Sequence, residues 1–168
     1  MRVFYFLCLI TFLGCDPPQP PAINEQQLKQ ELLKANQQKS RLELDSIASY
    51  IKHHGWQMVT TPTGLNYQVL STKGGPPVKL GDRVSIFYKV SLLDGTICYD
   101  NHLTHPVQFK VGEDHVEAGL HELMPLVRVG DELRVILPSH LAFGFTGDGD
   151  KVPGDSPVLY EIKVVTVQ

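Results

Sequence analysis

Three cysteines, one tryptophan and no surplus of positive charge set the first limits on this sequence of 168 residues. Three cysteines cannot build a disulfide scaffold. Lys and Arg number 15 against 18 Asp and Glu, a formal charge of −3. A nucleic-acid binder draws its affinity from clustered cations facing phosphates, so that class is excluded and no nucleic-acid partner is expected. The apolar run near the start, Val3 to Leu13, is shorter than the roughly 20 residues a permanent transmembrane helix needs. Glycine and proline are frequent but follow no repeat, which excludes collagen-like and low-complexity architectures. What is present is enough apolar residue, 42%, for one packed domain with an appendage.

The N-terminus reads as an address. Met1-Arg2 supplies one charge, about a dozen apolar residues follow, and Phe12-Leu13-Gly14-Cys15 closes the segment. That ending resembles a bacterial lipoprotein signal, which implies removal of residues 1–14 and lipidation of Cys15. An ordinary cleaved signal and an uncleaved anchor remain the alternatives. On the lipoprotein reading Cys8 is lost, Cys15 carries lipid and Cys98 stands alone, so no internal disulfide forms. Residues 15–23, with Pro17-Pro18-Gln19-Pro20-Pro21, then form an extended tether. The expected location is the cell envelope, on the inner or the outer membrane and facing the periplasm, attached through the lipid.

Residues 24–55 contain no proline and no glycine before Gly55, and Gln, Glu, Lys, Leu and Ala dominate. Asn24 is the expected cap with Gln27 as its capping-box partner. Lys52, His53 and His54 suit the negative end of the helix dipole, and Gly55 supplies the stop. Leu28, Leu32 and Ala35 share one face, as do Ile47, Tyr50 and Ile51, but the two stripes are out of register. One helix or two helices meeting near Asn36 to Ser40 both fit. The segment is read as a solvated spacer or as a homodimer contact through residues 24–54.

Residues 56–168 change to short alternating runs. Val84, Ile86, Tyr88 and Val90 point one way, as do Val158, Tyr160, Ile162 and Val164. Leu65 to Leu70, Phe109 to Val111 and Glu132 to Leu137 continue the pattern, and Asp94-Gly95 marks a hairpin. Val116, Leu120, Leu123, Met124 and Val127 have helical spacing, ending at Pro125 or just beyond. The predicted class is α+β, five or six antiparallel strands half-wrapped around one short helix and preceded by the N-terminal helical segment.

Six blocks in this region carry a resemblance. Gly81-Asp82-Arg83-Val84-Ser85-Ile86-Phe87-Tyr88 and Leu93-Asp94-Gly95-Thr96 open it. Phe109-Lys110-Val111-Gly112, the helix from Val116 to Met124 and Val129-Gly130-Asp131-Glu132 follow. Pro138-Ser139-His140-Leu141-Ala142-Phe143-Gly144 and Val152-Pro153 to Val165 complete it. In order and spacing they resemble FKBP-type peptidyl-prolyl isomerases, over Thr63 to Gln168. With the signal and the helical segment, the whole resembles a Bacteroidetes-type FKBP lipoprotein, a group that includes gliding-motility lipoproteins.

The resemblance implies rotation of X-Pro peptide bonds in exported proteins, with proline-containing polypeptides as partners. It implies no cofactor and no metal. Carried over by position, Tyr88, Phe109 and Tyr160 would wall the pocket, Leu120 would floor it, and Phe143 would sit on the loop without the family's tyrosine hydroxyl. Val116 and Glu117 would flank the cup, with the Glu117 N–H as a donor. The family's Phe-Asp pair falls on Cys98-Tyr99 without a gap or on Tyr99-Asp100 with one inserted residue at a bulge. The second alignment is favoured because it preserves both chemical types. Val107 stands where an aromatic is usual, and Glu117 brings a charge to an apolar rim. These departures sustain an alternative, a non-catalytic FKBP-like chaperone or scaffold; a purely structural lipoprotein is a third reading.

Taken singly, the wall residues are ordinary core positions and Asp100 is an ordinary turn residue. The seven histidines show no structural-zinc spacing with cysteines. Gly147-Asp148-Gly149-Asp150 lacks the spaced ligands of an EF-hand and reads as a flexible turn.

Overall fold

A computed structural model describes residues 24–168, so the signal, the tether and Cys15 lie outside the described residues. Helix α1 runs Glu25–His53 without a break. The Asn24 side chain accepts from the N–H groups of Gln26 and Gln27 at 3.1 and 3.3 Å. At the far end Trp56 N–H donates to Ile51 and Gly55 N–H to Lys52. Gly55, at φ +65°, supplies the left-handed residue this Schellman ending requires. Of the two arrangements the sequence allowed, the single helix forms because Asn36 and Ser40 cost only tenths of a kcal/mol each in helix propensity, too little to break the ladder.

The chain divides into two units, residues 1–36 and 37–168. In the first, the described residues are helical and every side chain is exposed. The second contains the rest of α1 and the sheet. Its strands are β1 (Val59–Thr60), β2 (Asn66–Ser71), β3 (Arg83–Leu92), β4 (Ile97–Asp100), β5 (Val107–Lys110), β6 (Glu132–Leu137) and β7 (Val158–Val167). All pairings are antiparallel, in the order β1-β2-β6-β7-β3-β4, with β5 also on β3. The seventh strand, beyond the expected five or six, is the two-residue β1, too short to show a period of two.

Two layers cover the sheet. On one face Val84, Ile86, Val90, Leu133, Val135, Leu137, Tyr160, Ile162 and Val164 pack with Leu120, Leu123 and Met124. These last three belong to α2 (Ala118–Leu123) and the 3-10 turn Met124–Leu126 that continues it, where Pro125 prevents a longer α-helix. On the other face Ile47 of α1, 1% exposed, packs with Ile136 and Leu159, flanked by Tyr50, Ile51, Trp56, Met58 and Leu93. Burying Ile47 alone is worth about 1.5–3 kcal/mol. Glu43 adds a directed contact: its carboxylate accepts from Ser139 N–H at 2.6 Å and from Ser139 Oγ at 3.0 Å. Arg134 stacks on Trp56, its guanidinium carbon 3.9 Å from the ring centre. Among the described residues no helix is long and apolar enough to cross a membrane.

Candidate active site

Helix α2 is six residues, about 9 Å long by the standard rise, so it covers only part of the concave face. The uncovered part is an open cup of about 820 Å³. Its walls come from β3 (Ile86, Tyr88, Val90), β4 (Tyr99), β5 (Val107, Phe109) and β7 (Tyr160), with Leu120 from α2 beneath. Ala142 and Phe143 close one side, and the five consecutive residues Glu113 to Glu117 form the other. Asp148 completes the rim.

Eight of the nine residues singled out from the sequence meet here: Tyr88, Tyr99, Phe109, Val116, Glu117, Leu120, Phe143 and Tyr160. Asp100 does not. It lies opposite Lys89 across the ladder, with its carboxylate on the backbone N–H and Nδ1 of His102, both at 2.9 Å. The reason is the register. Val90 faces Tyr99 and Ser91 faces Ile97, so Cys98 is the extra residue of a bulge. The bulge turns Tyr99 to the cup and puts Asp100 on the exposed side. Cys98 is buried beneath the strand, with its thiol directed to the carbonyls of Thr96 and Lys151.

The carboxylates of the cup come from elsewhere. Tyr160 Oη donates to Glu117 Oε1 at 2.8 Å, so the side chain that looked like a stray rim charge is the acceptor for a buried phenol. Burial first, then the Glu117 charge and hydrogen bond, push the Tyr160 hydroxyl far above its ordinary value. Burial and the same charge raise Tyr88, whose ring lies 5.9 Å from that of Tyr160. Both phenols therefore stay protonated and neutral at physiological pH. Glu117 is extended at φ −57°, ψ 136°, and among the described residues nothing accepts its N–H. That donor is available to a ligand carbonyl.

Asp148 is the residue that sequence reasoning missed. Its Oδ2 accepts from Tyr99 Oη, and its Oδ1 collects the N–H groups of Asp150, Lys151 and Val152 at 2.9–3.0 Å. Burial acts to raise its pKa, but the Tyr99 and backbone hydrogen bonds outweigh burial and hold it at about 2. The same bond pushes Tyr99 up to about 12. The Gly147–Asp150 turn is accordingly a pinned loop rather than a flexible one. Gly147 sits at φ +71°, and a Cβ there would lie 2.1 Å from the Val152 carbonyl. An Asp between glycines in a turn is the signal that could have marked this loop as self-capping.

Asn101, 8% exposed, was also unforeseen. Its Oδ1 accepts from Tyr88 N–H at 2.6 Å, and its own N–H donates to the Tyr88 carbonyl at 3.1 Å. One side chain thus extends the ladder past the end of β4 and fixes the backbone from which Tyr88 projects.

An antiparallel sheet half-closed around a short helix, with an aromatic cup left open beside it, defines a small α+β domain with a binding cup. Residues 74–165 match the family model described as FKBP-type peptidyl-prolyl cis-trans isomerase, and the chain belongs to that family. A bovine peptidyl-prolyl cis-trans isomerase, FKBP11 of Bos taurus, is 35% identical over 54% of this chain and 45% of its own length. A probable FKBP-type isomerase of Haemophilus influenzae is 27% identical over 76% of this chain and 57% of its own. The match thus spans less than two thirds of either relative. In fold, the peptidyl-prolyl cis-trans isomerase of Pseudomonas syringae pv. tomato superposes with a TM-score of 0.65 at 24% identity, covering 77% of this chain and 96% of that one.

Proposed function

We propose that the unit of residues 37–168 catalyses cis–trans rotation of X-Pro peptide bonds. The observation that carries this reading is the cup itself: apolar walls, neutral phenols and an uncommitted N–H at Glu117. Rotation about an amide faces about 18–20 kcal/mol because resonance must be broken. Both isomers of X-Pro are populated, and exchange takes tens to hundreds of seconds. Twisting reduces the amide's charge separation, so a dry apolar cup disfavours the planar ground state more than the twisted one. The Glu117 N–H then holds a flanking carbonyl of the twisted form. Phe143 supplies no hydroxyl to help it. No nucleophile takes part.

The test is a protease-free exchange assay on X-Pro peptides with the full chain. Acceleration over buffer is expected, with a loss of at least about tenfold in Phe143→Ala, which strips a half-buried wall at the edge of the core. A folded wild-type chain no faster than buffer overturns the proposal.

The cell-envelope setting belongs to the same proposal. Residues 1–15 support lipidation at Cys15, and Bacteroidetes-type FKBP lipoproteins, the gliding-motility group among them, offer the model. The substrates are then exported proteins. Mass measurement of the chain's N-terminal peptide from membranes checks this: an unmodified Cys15 ends it. A homodimer through residues 24–54 is supported by Leu28, Leu32 and Leu33, exposed at 44%, 55% and 52%. Sedimentation that is unchanged in Leu32→Lys would remove that contact. A second reading, a chaperone-like binder without catalysis, draws on Phe145 and Leu103, exposed at 77% and 99%. Aggregation suppression that survives Phe143→Ala but fails in Phe145→Ser would favour it.

A further inference from the structure

One wall of the cup is a loop whose own bonds are short-range: the Glu113 and Asp114 N–H groups donate to the Lys110 carbonyl at 3.2 Å, and Val116 N–H to the Asp114 carbonyl at 3.0 Å. Glu113 to Glu117 contribute five successive lining residues, yet Glu113, Asp114 and His115 are exposed, and α2 begins after Glu117 without a side-chain cap. The tie that joins the loop to the helix comes from one residue that does not line the cup, His121, on the last turn of α2. Its Nδ1 accepts from Gly112 N–H at 2.8 Å, and its Nε2 lies 3.0 Å from the Asp114 carbonyl. Both partners are backbone groups, and neither can exchange roles. An amide N–H only donates, so Nδ1 must be bare; a carbonyl only accepts, so Nε2 must carry the proton. The ring is therefore the neutral Nε2–H tautomer, spanning both sides of the loop's entry and standing edge-on to Phe109 at 5.9 Å.

We infer that His121 is the positioning residue of this site and makes the cup sensitive to acid. A proton on Nδ1 turns an acceptor into a donor aimed at the Gly112 N–H. Two donors then face each other, and the loop must move away. What moves with it is the wall that presents Val116 and the Glu117 N–H. The charged and titratable groups around the loop are engaged elsewhere. Glu113 pairs with Lys110 at 2.9 Å, and Asp114 takes the Lys110 N–H at 2.8 Å and faces Arg83 at 3.7 Å. Glu117 holds Tyr160, and Glu122 holds Thr63. None of these offers Gly112 a substitute acceptor. His115, on the cup side, is the other imidazole of the loop and serves as the control.

This inference rests on the isomerase reading for its kinetic arm and not for its spectroscopic arm. In the full chain, kcat/KM in a protease-free assay is expected to fall about tenfold between pH 8 and pH 5.5, the scale of losing one well-placed hydrogen bond. His121→Gln keeps an acceptor and a donor but cannot titrate. Its rate should be flat with pH and at least about fivefold above that of His121→Ala. His115→Gln should keep the acid limb whatever its rate. Separately, nitrogen NMR should show Nε2–H at His121 at pH 8, and amide exchange at Gly112 should accelerate on acidification in wild type but not in His121→Gln. An acid limb that persists in His121→Gln, or a ring in the Nδ1–H form, overturns the inference. A folded chain without isomerase activity leaves the spectroscopic arm to decide it alone.

Discussion

The two faces of the sheet solve opposite problems with one helix each. The outer face receives α1, whose residues from Glu43 onward lie along β6 and β7 and close it with Ile47, Ile136, Leu159 and the Arg134–Trp56 stack. The inner face receives α2, which is too short to close anything. What α2 leaves bare is the cup. The lesson is that a site need not be carved into a core: it arises where a covering element stops early and the exposed strand positions are aromatic. Substitutions on the outer face are therefore expected to change stability without touching the cup, and those around the cup to change activity.

The largest separation should come from Ile47→Asp. It places an unpaired carboxylate where 1% of the residue is exposed, and about 3–5 kcal/mol of unfolding free energy should be lost in urea titrations. An undiminished midpoint would mean the outer face carries no load. Glu43→Ala comes next. It strands the Ser139 N–H and hydroxyl in a half-buried place, at about 1–3 kcal/mol, with the cup's peptide rate unchanged in the folded fraction. Gly147→Ala should cost about 1–3 kcal/mol through its positive φ and the clash with Val152, and it should also lower activity, because this loop is part of the rim.

Smaller and more selective is Tyr99→Phe. Asp148 is held at about 2 against an ordinary 3.8, so its contribution is present above pH 4 and fades as pH falls toward 2. Tyr99 is raised to about 12 against 10, so its share is present below pH 10 and fades as pH rises toward 12. Tyr99→Phe should flatten the alkaline limb and soften the acid one in a thermal-melt series against pH. Unaltered limbs would show that the bond does not hold the rim.

The inner face was largely legible in the sequence. Strand alternation put Tyr88 with Val84, Ile86 and Val90, and Tyr160 with Val158, Ile162 and Val164, but it was the family resemblance that implied a shared cup walled by Tyr88, Phe109 and Tyr160 and floored by Leu120. Asp100 was misplaced although a bulge was expected: neighbouring strand residues point to opposite faces, so with Tyr99 turned to the cup Asp100 faces away from it. Glu117 was read as an intruder because its partner, Tyr160, lies 43 residues away and only the folded sheet joins them. The outer face was less legible. Ile47, Tyr50 and Ile51 were recognised as a stripe, but nothing in their spacing says whether a stripe meets a second chain or its own sheet.

The Asp148 loop has a bearing on how this rim can vary. Its clamp is built from a carboxylate reading three backbone N–H groups, and backbone is the same whatever side chain it carries. Asp150 could thus be exchanged for another residue without loosening the loop, while Asp148, Gly147 and Tyr99 stay fixed and the Lys151 ammonium keeps its place 5.0 Å from the Tyr99 ring centre. The side chains that this edge of the cup presents are in this way separated from the part that holds the cup in shape. Such a loop lets the surface beside the cup change at an exposed side chain while the shape of the cup is kept.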